Sequence, residues 1–147
     1  MPAALKHHHI YEGGLLVHSY EVNFICNAIQ NACEELYPGV VDKDVLNLSS
    51  WMHDIGKTET YYLDENMDPK INSEKENKIN HLLRGNSIFV KLAEKHNLDS
   101  EFVEKVSHCI LSHHDRIDWG SAVEPIDIEA IILAKADKIS SELSKNE

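Results

Sequence analysis

Residues 51–57 read Trp51-Met52-His53-Asp54-Ile55-Gly56-Lys57. The segment closes an amphipathic run in which Asp42 is the N-cap and Val45, Leu46, Leu48 and Met52 lead towards Ile55-Gly56. Adjacent helical positions differ by about 100°, so His53 and Asp54 reach one site only where the end of this helix faces it.

Outward from this segment the chain keeps helical periodicity. Gly13-Gly14 marks a turn before a long helix whose apolar positions are Val22, Ile25, Ile29, Ala32 and Leu36, and Pro38-Gly39 stops it. Beyond Lys57, residues 58–77 are polar and rich in turn formers (Asp64, Asn66, Asp68-Pro69, Asn72), which predicts a loop or a weak hairpin. A third helix is expected from Lys78 to Lys95 and a fourth from an Asp99 cap to His113. After the loop DRIDWGSAVEP a last helix follows, capped by Asp127 with a staple from Ile126 to Ile131. The expected fold is an all-α domain over residues 1–147, a compact bundle of about five main helices with little or no sheet.

Composition narrows the classes. The 147 residues carry 14 Lys and Arg against 25 Asp and Glu, a net charge of −11, with 42% hydrophobic and 27% charged residues. That is ordinary globular chemistry. The acidic balance gives no electrostatic reason to bind long nucleic acid without a partner, or an anionic membrane. No apolar run approaches the roughly 18 residues of a spanning helix. Residues 1–14 have no basic stretch followed by an apolar one. Three cysteines without a CxxC fit buried thiols in a reducing cytoplasm, the expected location. No apolar stripe is clearly left over once the core is assigned, so the oligomeric state is open.

The unusual number is ten histidines, and several fall on faces that periodicity buries. His18 lies on the seam 18, 22, 25, 29; His81 shares a face with Gly85, Ile88 and Leu92; His113 follows Val106, Cys109 and Ile110, with His114 beside it. Asp137 sits among Ala130, Leu133, Ala134 and Ser141 with no Lys or Arg three or four positions away. A lone buried carboxylate costs several kcal/mol unless it is paired or coordinates a metal. Imidazoles and two carboxylates converging from five helices meet that requirement through divalent cations. Asp54 can bridge two ions, with His18, His53 and Asp137 completing one and His81 with His113 or His114 the other. Mixed nitrogen and oxygen ligation suits Mn, Fe, Zn, Co or Ni rather than a thiolate metal, and the expected cofactor is one or two divalent ions of these or of Mg. His108, beside Glu101, Glu104 and Ser112, reads as solvated. His8 and His9, before the double glycine, either close over the site or form a mobile terminus.

The pattern His18…His53-Asp54…Asp137 resembles the defining signature of the HD superfamily of metal-dependent phosphohydrolases. Five segments in register, HHHIYEGGLLVHS, WMHDIGK, HLLRG, ILSHHDRIDWGS and PIDIEAIILAKADKISSEL, are similar to the HD domain of YhaM-type 3′–5′ exoribonucleases. The resemblance implies a helical fold, a divalent-metal centre and hydrolysis of phosphate esters by metal-activated water. It implies that His18, His53, Asp54 and Asp137 are the core ligands, that His81 and one or both of His113 and His114 hold a second ion, and that Lys57 faces substrate phosphate. Whichever of His113 and His114 does not ligate, His114 foremost, is a candidate acid for the leaving group. Arg84 either lines the entrance or sits on a solvated face, and Trp119 either stacks on a base or anchors packing. The expected substrate is a small phosphorylated molecule, a nucleotide or short oligonucleotide. The alternative is a nucleotide-binding regulatory module with the same site and little catalysis.

Overall fold

The computed structural model describes residues 1–5 and 9–146. His7 and His8 lie outside the described residues. Among those described are six α-helices: α1 (Gly14–Leu36), α2 (Lys43–Met52), α3 (Ser73–Lys78), α4 (His81–Lys95), α5 (Ser100–Ser112) and α6 (Ile128–Leu143). Five are long and α3 is short. A two-stranded antiparallel hairpin, β1 (Tyr61–Leu63) and β2 (Pro69–Ile71), pairs Tyr62 with Lys70. Its turn is set by Asp64, whose carboxylate accepts from the amides of Asn66 and Asp68. The all-α expectation holds, with the weak hairpin as the one piece of sheet among the described residues. None of these helices is long and apolar enough to cross a membrane.

Helix α1 packs on α2 and α6, α5 bridges α2, α4 and α6, and α4 lies against a single 3₁₀ turn at Ile55–Glu59. The core comprises Val22, Cys26, Val45, Leu46, Phe89, Val106, Ile110 and Leu133. Burying each of the larger side chains contributes about 2–3 kcal/mol. Cys26 and Cys109 are buried free thiols, which burial first of all pushes up to about 12.

Several sequence expectations are corrected. Helix α2 ends at Met52, not at Gly56: His53 is its C-cap and Asp54 has left helical geometry (φ −106°, ψ 7°) before the 3₁₀ turn begins. The expected helix from Lys78 is broken, because Ile79 is extended and the Asn80 side chain accepts from Leu83 N to start a new helix at His81. Asp127 stands at the N-cap of α6 without a side-chain bond. Ile126 is 78% exposed, so no staple to Ile131 closes that end. His108 is half-buried and its Nε2 accepts from Ile126 N at 3.1 Å, which pins the loop before α6.

On α1 the buried positions are Gly14, Leu15, His18, Ser19, Val22, Cys26 and Gln30, while Ala32 and Leu36 are exposed. A stripe of Leu16, Tyr20 and Phe24 is also left outside, beside Leu143 of α6.

Candidate metal centre

The break after α2 brings His53 and Asp54 to the same site. Once the chain leaves the α-helix, the two side chains are no longer held at helical spacing, and both face the interior. The close approach of the 3₁₀ turn to α4 depends on Gly56, since a Cβ there would land on the carbonyl of His81 and within 2.6 Å of Gly85 N. His81 is the first residue of α4, His113 caps α5 with His114 next, His18 lies in the second turn of α1 and Asp137 comes from α6. His18, His53, Asp54 and His113 are at most 1% exposed and His81 is 7% exposed.

The geometry is organised around Asp54. Its Oδ2 lies 3.6 Å from the Nε2 atoms of both His18 and His53, and its Oδ1 lies 3.7 Å from His81 Nε2 and 3.5 Å from His113 Nε2. Each oxygen therefore faces a different trio. His18, His53 and Asp137 form one, with ligand atoms all within 4.8 Å of one another; His81, His113 and His114 form the other. His18 Nε2 is 3.4 Å from His53 Nε2 and 2.9 Å from Asp137 Oδ1, and His81 Nε2 is 3.3 Å from His114 Nε2.

The far nitrogens are tied down. His53 Nδ1 donates to Ser50 O (2.8 Å) and His113 Nδ1 to Ile110 O (2.7 Å), carbonyls of the last helical turns of α2 and α5. His81 Nδ1 contacts Glu76 Oε1 at 2.7 Å. A ring that holds its proton at Nδ1 turns an Nε2 lone pair inward. Asp54 Oδ1 is buried without a hydrogen-bond partner. Lone pairs of several rings and an unpartnered carboxylate oxygen crowded together are the donor set of a divalent cation, with carboxylate and carbonyl groups supporting the rings from behind. The residues fit such ions at both trios.

Electrostatics agree. Burial first, and then the neighbouring imidazoles, lowers His114 to about 3; burial lowers His53 to about 4 and moves His81 down. These rings are neutral at pH 7, the form that ligates. Burial alone would raise Asp54, but Lys57 and then His53 hold it well below the carboxylate range. Burial likewise opposes ionisation of Asp137, and the His18 hydrogen bond and the His53 charge outweigh it. Burial works against a charged His113, whereas the approach of its Nε2 to Asp54 Oδ1 at 3.5 Å and that group's charge raise it. Lys57 Nζ sits 2.6 Å from Asp54 Oδ2 with little exposure.

Beyond Asp137 and His114 the centre opens into a cavity of about 670 Å³ lined by Trp119, Lys135, Lys138 and Ser141. Trp119 is 55% exposed and so is no packing anchor; the Arg116 guanidinium and the Lys138 ammonium lie 5.3 and 5.4 Å from its ring centre. Arg84 is not in that cavity. Its guanidinium donates to Glu59 Oε2, Ile79 O and Lys75 O, tying α3 and the 3₁₀ turn to α4. Sequence reasoning missed Glu76, Glu21 and Ser140, which contact the His81 and His18 rings or the groups that hold them. Glu76 is five residues before His81 with the extended Ile79 between them, so helical spacing does not flag that pair, and Ser140 comes to His18 from 122 positions along the chain.

The HD domain family model matches residues 15–142. The chain belongs to the HD domain family. HD domains are in general metal-dependent hydrolases that bind divalent metals, and the two trios are groups of this HD domain that could hold such an ion. The comparison with solved structures finds no match.

Proposed function

We propose that this HD domain hydrolyses a phosphate ester of a nucleotide or short oligonucleotide, acting as a phosphohydrolase or phosphodiesterase. The observation that carries the reading is the placement of Asp54, one oxygen towards each histidine-rich trio. His18, His53 and Asp137 would hold one ion and His81, His113 and His114 the other, with Asp54 between them. When bound, divalent ions supply a water of lowered pKa and positive charge for a phosphoryl oxygen.

The chain's own residues do the rest. Lys57, buried against Asp54, presents an ammonium at the centre for a phosphate oxygen. His114 Nε2 faces into its trio and the ring is neutral, which suits a ligand better than a proton donor. Trp119, exposed on the cavity wall and flanked by two cations, offers a face to a base beside a phosphate. Arg84 acts by holding the fold around His81. The likeness of five segments to YhaM-type exoribonucleases supports a nucleotide as substrate, and the free cysteines suit the cytoplasm.

The test is elemental analysis of protein prepared without chelator, beside Asp54→Ala, followed by assay on nucleotides, dinucleotides and a nitrophenyl phosphodiester. About two ions per chain, with ions and turnover both lost in a variant of unchanged helical signal, is the expected result. Turnover that persists in Asp54→Ala overturns the assignment.

A further inference from the structure

His18 differs from its neighbours in what stands behind it. The far nitrogens of His53 and His113 face carbonyl oxygens, and that of His81 faces a carboxylate, groups that only accept. The far nitrogen of His18 faces a hydroxyl: Nδ1 lies 3.1 Å from Ser140 Oγ. A hydroxyl can donate or accept, so by itself it leaves the tautomer of the ring undecided.

Ser140 Oγ donates to Glu21 Oε2 at 2.8 Å. A hydroxyl has one proton, and with that proton directed to the carboxylate only its lone pairs face His18. Nδ1 must then carry the ring hydrogen, and Nε2 is left with its lone pair towards Asp54 and Asp137. The carboxylate has a second close neighbour. His9, 4% exposed, places Nε2 3.1 Å from Glu21 Oε1. His9 adopts a left-handed backbone (φ 46°), its carbonyl accepts from Ala3 N, and a Cβ on Gly14 would strike that carbonyl. The second glycine of the pair at 13–14 thus makes room for the segment that carries His9.

We infer that Glu21 is a positioning residue for the metal centre: through Ser140 it fixes His18 in the Nδ1–H tautomer, with His9 packed beside the carboxylate. The inference rests on the metal-centre reading and gives roles to Glu21, Ser140 and His9. Without the carboxylate, Ser140 is free to give its proton to His18 Nδ1, the ring hydrogen moves to Nε2, and the ligand atom is blocked by a proton that a cation must displace.

The test uses the full chain, Glu21→Ala and Glu21→Gln. Glu21 is partly exposed, so both variants are expected to fold, and thermal melts check it. Two readouts are taken: Zn²⁺ affinity by competition with a chelator, and the ring-nitrogen NMR shifts of His18 in metal-free protein at pH 8.5. The expected result is a protonated δ nitrogen in the wild type, a shift of the proton to the ε nitrogen in Glu21→Ala, and a loss of about 10- to 100-fold in Zn²⁺ affinity, as for other groups that support metal-binding histidines. Glu21→Gln, which keeps an acceptor oxygen, restores most of both. An unchanged tautomer and affinity in a folded Glu21→Ala overturns the relay. If the wild type binds no Zn²⁺, the metal-centre reading falls, while the NMR readout still decides whether Glu21 sets the tautomer.

Discussion

Replacing Lys57 with methionine separates two descriptions of Asp54. Lys57 Nζ is 2.6 Å from Asp54 Oδ2, and the two groups are 9% and 1% exposed. Methionine keeps most of the stem that runs under Tyr61, whose ring centre is 5.6 Å from Nζ, and removes the charge. The carboxylate then lies buried with Oδ1 unpartnered and Oδ2 deprived of its cation. Breaking a buried pair from one side costs about 3–5 kcal/mol, or about 10 °C in Tm for a chain of this size. In metal-saturated protein, ions held at the two trios would neutralise Asp54, and Lys57 would become one cation beside others. The same substitution should then cost less than about 1 kcal/mol, since the carboxylate no longer needs that partner. Urea unfolding of both proteins, with chelator and with saturating Zn²⁺, measures the four stabilities. An equal penalty in both forms would refute the reasoning, because it would mean that Asp54 keeps Lys57 as its counter-ion when metal is bound and is no ligand.

Two further outcomes are expected. Gly56→Ala pushes a methyl group into the backbone of α4 at His81 and Gly85, so stability should fall by about 3 kcal/mol, with Zn²⁺ stoichiometry falling as His81 moves off; a Tm within a degree or two of wild type would contradict the packing. The metal-free protein should also lose stability in acid. His53 has a folded value near 4 against about 6.5 unfolded, so its contribution is fully present above pH 6.5 and is lost as pH falls through 4. That window is worth on the order of 3 kcal/mol. His113, raised by Asp54, works with the opposite sign, its contribution present below pH 6.5 and lost as pH rises. Urea midpoints of chelated protein at pH 7, 5.5 and 4.5, beside His53→Asn, read the difference; a slope that survives in His53→Asn belongs to other groups.

The sequence was legible wherever periodicity carried the information. Polar residues on apolar stripes, His18 and Asp137 above all, stood out because a buried charge needs a partner, and the structure gathers them with His53, Asp54, His81, His113 and His114. It was less legible at helix ends. Asn80 caps a helix that apolar spacing alone would have run through from Lys78. The turn after Met52 depends on how closely Gly56 approaches α4, a tertiary fact with no local signature. Arg84 shows the same limit, because its partners Glu59 and Lys75 O are brought to it by the fold rather than by sequence spacing.

The helix ends explain why the centre lies where it does. A helix leaves its last carbonyls without intrahelical donors, and an imidazole at the C-cap can fold back onto them, as His53 does on Ser50 O and His113 on Ile110 O. The backbone thereby orients two rings, and needs only that α2 and α5 end side by side. His18 has no such help, lying near the start of α1 where the carbonyls are engaged in the helix, and His81 opens a helix rather than closing one. Those two rings are the ones backed by acidic side chains, Glu76 directly and Glu21 through Ser140. Each trio therefore contains one ring set by a helix terminus and one set by a carboxylate. Substituting either glutamate should weaken one trio and leave the other's backbone-held ring in place, so the two ions should be lost at different chelator concentrations rather than together.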